Sequence, residues 1–429
     1  MWLGVAGLLL AGLSCFHFAR AAHESRAHGF VDFPIFLERA RTFVLTGELY
    51  VDPDAPEAYA PAAAVYKFPP LYAMLLLPLV RSGIDARVYL AHWALQILLY
   101  ALAVALLIVC LRRHAGRGFA FTAAVLALNF EPFFETAWRL QIETPLLLLL
   151  AVVLVWGVER RAEWSGALLG AGFLLKLYPV FLLLYFVVRR RLRALAGFGV
   201  AVALILAVSW LVIGPAENQK YFLRVLPLLL RENPELSTEN LSLARYLMAI
   251  LAFEPPLSKR IAQALVLPLV VASLVAVWRR SRGRPEDRYA SAVAFSLFVP
   301  LMLIAMPNYW VNYQLLLLLP LLVVCCEVSR RGPDARATAL LAGLAYAPML
   351  FYWPCADPSV SWPCARTPLL LGLVALPRAF HDLMVALRGL SAFLLWAALL
   401  STLLYGSSAT RGSAAGHRGQ AKALDGSRD

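Results

Sequence analysis

A chain of 429 residues with 61% hydrophobic and only 15% charged residues falls far below the roughly 25% charged residues of a soluble domain. Apolar stretches near spanning length recur along it, among them Val88–Leu111, Ala194–Ile213, Ile261–Val277 and Leu390–Leu404, which excludes a soluble enzyme and a protein with a single anchor. The net charge of +13 does not point to nucleic acid, because its basic residues sit in short clusters between apolar runs, such as Arg112-Arg113, Arg160-Arg161, Arg189-Arg190-Arg191, Arg279-Arg280 and Arg330-Arg331.

Residues 2–19 read as a retained first helix, since no basic segment precedes them as in a signal peptide. The polar loop 20–68 follows. Within it Phe33, Phe36, Leu37, Ala40, Phe43 and Val44 recur at helical spacing, which predicts a short amphipathic juxtamembrane helix ended by Gly47. The loop closes on Tyr66-Lys67-Phe68-Pro69-Pro70, where proline pre-sets the next helix. Polar breaks at 129–143 and at Lys176-Leu-Tyr-Pro179 divide later apolar segments into short halves, a pattern tolerated where the freed backbone faces protein or a wet cleft.

A second polar loop spans 215–259, and a third is bracketed by Cys355 and Cys364, a candidate disulfide if it faces an oxidising compartment. Placing the basic loops in the cytoplasm puts 20–68, 215–259 and 354–365 on the other side. The expected fold is all-α: a polytopic transmembrane bundle of roughly 10–13 helices over residues 1–405, then a disordered polar tail, 406–429. No internal repeat is visible.

Asp32, flanked by aromatic residues just after the first helix, has two readings: general base towards a hydroxyl, or N-cap of the amphipathic helix. Lys176 is the lysine inside an apolar segment, of five in the chain; it marks an anion site such as a phosphate, or snorkels to an interface. Arg139 and Arg245, beside aromatic or amide residues, are further candidates for the anion role. Trp310, Asn312, Tyr313 and Gln314 suit either an interfacial aromatic belt or a sugar, whose faces are part apolar and part hydroxylated. Glu131, Glu135 and Glu143 lack a His/Asp cluster of metal-ligand spacing, so no metal site is assigned. No phosphate-cradling loop, Walker motif or Ser-His-Asp pattern occurs, so an activity here needs a donor delivered within the membrane.

Several ordered segments resemble glycosyltransferase family 87, a GT-C family. These are Asp32 after the first helix, Gly47-Glu-Leu-Tyr50, Tyr66-Lys-Phe-Pro-Pro70, Gly170 through Lys176-Leu-Tyr-Pro179, Asn240-Leu-Ser242 with Arg245, and Pro307-Asn-Tyr-Trp310-Val-Asn-Tyr313. The resemblance covers residues 28–328 and departs from the family at two places. The family's Gly-Gln-x-Asn is here Leu140-Gln141-Ile142-Glu143, and its histidine near Trp310 is replaced by Asn312 or Tyr313. It implies a GT-C fold and an inverting transfer of a sugar, mannose in many relatives, from a polyprenyl-phosphate-linked donor to a lipid or glycan acceptor. Asp32 would be the base. Lys176, Arg245 or Arg139 would meet the donor phosphate, and Tyr66, Lys67, Gln141, Asn240, Trp310, Asn312 and Tyr313 would line the substrate site. It further implies a bacterial inner membrane protein with its site facing the periplasm. A metal requirement stays open. The competing reading is a transporter or flippase for a lipid-linked or polar solute, with Lys176 as its midplane site.

Overall fold

A computed structural model describes residues 11–23, 32–51, 66–81, 86–157, 161–237, 239–282, 287–350 and 378–405. All their long elements are helices, and the one β-type pairing among them is an isolated bridge between Asn240 and Trp310. In chain order the helices begin with α1 (residues 11–23), α2 (Phe33–Thr46), α3 (Pro70–Arg81), α4 (Ala86–Leu111), α5 (Phe119–Leu128) and α6 (Glu131–Arg139). They continue with α7 (Glu143–Val152), α8 (Ala162–Leu175), α9 (Leu183–Val188), α10 (Leu192–Val212), α11 (Pro215–Lys220) and α12 (Leu226–Arg231). The chain closes with α13 (Leu243–Leu251), α14 (Pro255–Ser281), α15 (Arg288–Ile304), α16 (Leu318–Arg331), α17 (Arg336–Tyr346) and α18 (Arg378–Tyr405). The disulfide candidates Cys355 and Cys364, and the tail from residue 406, lie outside the described residues.

Among the described residues, five runs are long and apolar enough to cross a membrane: Arg87–Leu111, Leu192–Val212, Pro255–Ser281, Val311–Met349 and Ala386–Tyr405. The protein is a multi-pass helical membrane protein. The outward leucines and tryptophan of α10 (Leu204, Trp210, Leu211) are exposed, as side chains that face lipid must be. The run Val311–Met349 is not one rod; a turn at Gly332–Ala335 separates α16 from α17, and the two pack side by side. At the centre lies α15, buried from Ser291 to Ile304. It is apolar nearly all round, the pattern of a helix surrounded by protein.

Helices α8 and α10 make the most intimate pair. A Cβ on Gly166 would lie 1.7 Å from the Ala194 carbonyl oxygen, and one on Gly197 would lie 2.0 Å from that of Glu163. Small residues let the backbones touch, which is how helices associate where lipid removes the hydrophobic drive. This contact fixes the N-terminal part of α8, the helix that ends just before Lys176.

Outside this bundle is a second, smaller cluster. Phe33, Phe36, Leu37 and Ala40, the buried face of α2, pack with Leu49, Tyr50, Tyr66, Tyr72 and Tyr221. The amphipathic helix therefore forms where its periodicity predicts, and Gly47 ends it in a left-handed conformation (φ +80°), its N–H bonded to the Phe43 carbonyl at 2.8 Å. Its apolar face, however, packs on α3 and the tyrosines instead of lying open, and exposed Val44 and Leu45 at its end are what it presents outward. The chain around Tyr50 is tied down by α11: both the Leu49 and Tyr50 N–H groups donate to one Glu217 carboxylate oxygen at 2.8 Å.

The two sequence breaks become the elements that carry polar side chains into the protein. Residues 131–139 form α6, with Glu131 through Trp138 buried. It ends at Leu140, which takes the left-handed conformation (φ +52°, ψ +42°). That conformation costs an ordinary residue about 1–2 kcal/mol, and the complete burial of the leucine side chain offsets it. At the second break α8 stops at Leu175, Lys176 is extended, and a 3₁₀ turn at Tyr178–Leu182 leads into α9.

Candidate active site

These elements surround a cavity of about 760 Å³. Its lining is mixed: Asp32, Arg139, Gln141, Lys176, Trp310, Asn312 and Tyr313 supply polar groups, and Val180, Phe181, Leu229, Leu230, Met302 and Met306 supply apolar ones. Among its ionisable lining residues, Asp32, Glu232, Glu235 and Glu239 face Lys67, Arg139, Lys176 and Lys259, so acids and bases balance. The cavity therefore offers contacts both to a polar group and to hydrocarbon.

Asp32 stands at the N-cap position of α2, yet its side chain makes no capping hydrogen bond. Instead the Gln141 side-chain amide donates to its Oδ2 at 2.6 Å. The cap reading of this aspartate is thus replaced by a cross-bundle one, between residues 109 apart in sequence. The Gln141 Oε1 is buried and has no partner among the described residues.

Lys176 donates to Glu143 Oε1, and its Nζ lies 3.9 Å from the centre of the Tyr313 ring and 5.3 Å from that of Phe68. Glu143 is wholly buried, so a charge partner for it is obligatory. The two departures from the family pattern, Glu143 and Asn312-Tyr313, therefore bear on one region: Glu143 and Tyr313 touch the same ammonium. Arg139 is held between two carboxylates, Glu135 at 2.8 Å and Glu239 at 2.8 Å. Behind it the ionic chain continues inward: Arg20 bonds Glu131 at 2.9 Å, and Arg388 of α18 bonds the other oxygen of Glu131 at 2.6 Å.

The aromatic wall is built from neutral groups. The Tyr50 hydroxyl donates to the Phe68 carbonyl at 2.9 Å, and that of Tyr66 to the Pro69 carbonyl at 3.3 Å. Burial, reinforced by neighbouring tyrosines, holds both hydroxyls well above the usual phenol range, so they stay protonated donors at neutral pH. Their bonds shape the 67–69 segment, which carries Lys67 and Phe68 to the cavity; Lys67 pairs there with Glu232.

Three expected site residues lie outside this lining. Tyr66 is entirely buried in the aromatic cluster. Asn240 is a clamp: its Oδ1 accepts from the Ser242 and Tyr309 N–H groups at 3.1 and 3.0 Å, and its Nδ2 donates to Asn308 Oδ1 at 2.9 Å. It thereby holds the second loop against the segment that bears Trp310. Arg245 sits in the first turn of α13, whose N-cap is Ser242, over the ring of Tyr246. Sequence reasoning missed Glu143, Glu232 and Glu239 as partners of the cavity's cations. The signal available was the rule that a cation in an apolar segment needs a carboxylate nearby. Among the described residues no group of three or more His, Cys, Asp or Glu side chains could hold a metal ion.

Comparison with known proteins adds a lineage to this geometry. The model of glycosyltransferase family 87 matches residues 66–307, more than half of the chain. A curated relative from Mycolicibacterium smegmatis, named polyprenol-phosphate-mannose-dependent alpha-(1-2)-phosphatidylinositol mannoside mannosyltransferase, is 29% identical over 306 residues, covering 68% of this chain and 67% of its own. No solved structure matches.

Proposed function

Because the chain belongs to glycosyltransferase family 87, we propose that it transfers a sugar, mannose on our reading, from a polyprenyl-phosphate-linked donor to a lipid or glycan acceptor. The reaction runs with inversion, on the periplasmic face of a bacterial inner membrane. Asp32 takes the proton of the acceptor hydroxyl while that oxygen attacks the anomeric carbon. The bond from that carbon to the phosphate oxygen breaks, and the electron pair leaves with the lipid phosphate. Lys176 and Arg139, which share the cavity with Asp32, stabilise the charge that grows on the departing phosphate. Apolar lining residues such as Val180, Phe181 and Leu229 receive the first part of the prenyl chain.

The observation that carries this reading is the carboxylate of Asp32, free of capping duty and held by Gln141 in the cavity that Lys176 also lines. Trp310, Asn312, Tyr313 and Gln141 supply the ring faces and amides that suit a sugar. The test is transfer of labelled sugar from polyprenyl-phosphate-mannose to a lipid acceptor by purified protein. Asp32→Asn is expected to lose about 10²–10⁴-fold in rate. Transfer by folded Asp32→Asn at the wild-type rate rules out the mechanism.

A further inference from the structure

Two polar side chains of α4 have no part in the reading above. Gln96 is 1% exposed inside a helix long and apolar enough to cross the membrane. An amide in such a helix is costly unless it is bonded, and by default it marks a functional position. Its Nε2 donates to the backbone carbonyl oxygen of Gln141 at 2.8 Å and lies 3.2 Å from Nε2 of His92. One turn earlier on the same face, His92 stacks on Phe33, with ring centres 4.2 Å apart and planes at 17°.

These contacts grip both partners of a single hydrogen bond. Gln141 is the donor to Asp32, and Phe33 is the residue that follows Asp32. We infer that His92 and Gln96 are positioning residues that keep Asp32 and its donor in register from one face of α4. The inference rests on the reading of Asp32 as the general base. Neither side chain lines the cavity, so neither touches substrate.

The need for such a grip follows from the turn they hold. Gln141 follows the left-handed Leu140 between two short helices, and no regular helix continues through it. Gln96 fixes the Gln141 carbonyl and so limits how the peptide there can rotate. A base must stay within about 2.6–3.2 Å of the proton it removes, and a shift of about 1 Å can cost about 100-fold in rate. A role in helix packing alone would lower stability and leave turnover intact.

The experiment measures kcat and KM for Gln96→Leu, which keeps the helix apolar, and for Gln96→Asn, which is one methylene too short to reach the carbonyl. Each is expected to lower kcat about tenfold or more, with KM within about twofold of wild type. His92→Phe, which keeps the stack on Phe33, is expected to retain more kcat than His92→Ala. A second measurement is independent of turnover: the infrared carboxylate bands of Asp32, identified by subtracting the spectrum of Asp32→Asn, should shift in Gln96→Leu or, should that variant not fold, in Gln96→Asn. Wild-type kcat in either folded Gln96 variant, or unshifted Asp32 bands, overturns the inference. A wild-type protein that transfers no sugar would defeat the functional reading, while the infrared comparison would still decide the positional claim.

Discussion

Around one cavity the protein uses two kinds of wall. On the side of α6 the side chains are held by ions: Arg388, Glu131, Arg20, Glu135, Arg139 and Glu239 alternate in sign from α18 to the cavity. On the side of α2 and α3 they are held by rings, Phe36, Tyr50, Tyr66, Phe68 and Tyr72, with the neutral hydroxyls of Tyr50 and Tyr66 bonded to carbonyls. Ions taken from water gain little when paired and cost much when one partner goes. Rings gain by burial, and each hydroxyl adds little more. The ionic wall should therefore fail as a unit, and the aromatic wall should degrade residue by residue.

The largest effect is expected at Glu131, which is wholly buried and shared by Arg20 and Arg388. Glu131→Gln leaves excess positive charge in the interior and should cost about 3–5 kcal/mol in unfolding of the solubilised protein. Removing one arginine as well, in Glu131→Gln with Arg388→Met, should recover part of that loss. If the double variant is less stable than the single one, the charges do not act as a unit and the contrast between the walls is wrong.

An intermediate effect belongs to the joint between the aromatic wall and α11. Glu217→Ala strands the buried Leu49 and Tyr50 N–H groups, at about 1–3 kcal/mol for each orphaned donor. Asp32 and Gln141 are not touched, so turnover per folded molecule should change less than the unfolding midpoint does. A loss of turnover with an unchanged midpoint would mean that Glu217 acts on the cavity directly.

What could be read in advance follows the same division. The amphipathic α2, the stop at Gly47 and the two breaks were visible because apolar period, glycine and proline are local signals. Lys176 was visible because a cation inside an apolar run is locally anomalous, Arg139 and Asp32 because aromatic residues flank them, and Gln141 through the family resemblance. Their partners were not. Glu131 meets Arg388 across 257 residues, and Gln96 meets Gln141 across 45, distances at which no periodicity carries information. Asn240 stood out through the family resemblance and Arg245 through its amide and aromatic neighbours, but the fold uses Asn240 to clamp a loop and seats Arg245 outside the cavity.

The smallest effect sharpens the comparison most. Tyr50→Phe removes the hydroxyl that bonds the Phe68 carbonyl and nothing else; the ring contacts with Tyr66 and Tyr221, at 5.6 and 5.4 Å between centres, remain. The stranded carbonyl is part-buried and can bond water, so the cost should be about 1 kcal/mol, in the ordinary range for one neutral hydrogen bond. Phe68 still packs beside Tyr66 and Tyr72 and keeps its face towards Lys176, so turnover should stay within about twofold of wild type. Comparison of the unfolding midpoints and turnover of the two proteins checks both figures. A loss above about 3 kcal/mol would mean that the hydroxyl, and not ring burial, holds the 67–69 segment, and the aromatic wall would then be as brittle as the ionic one.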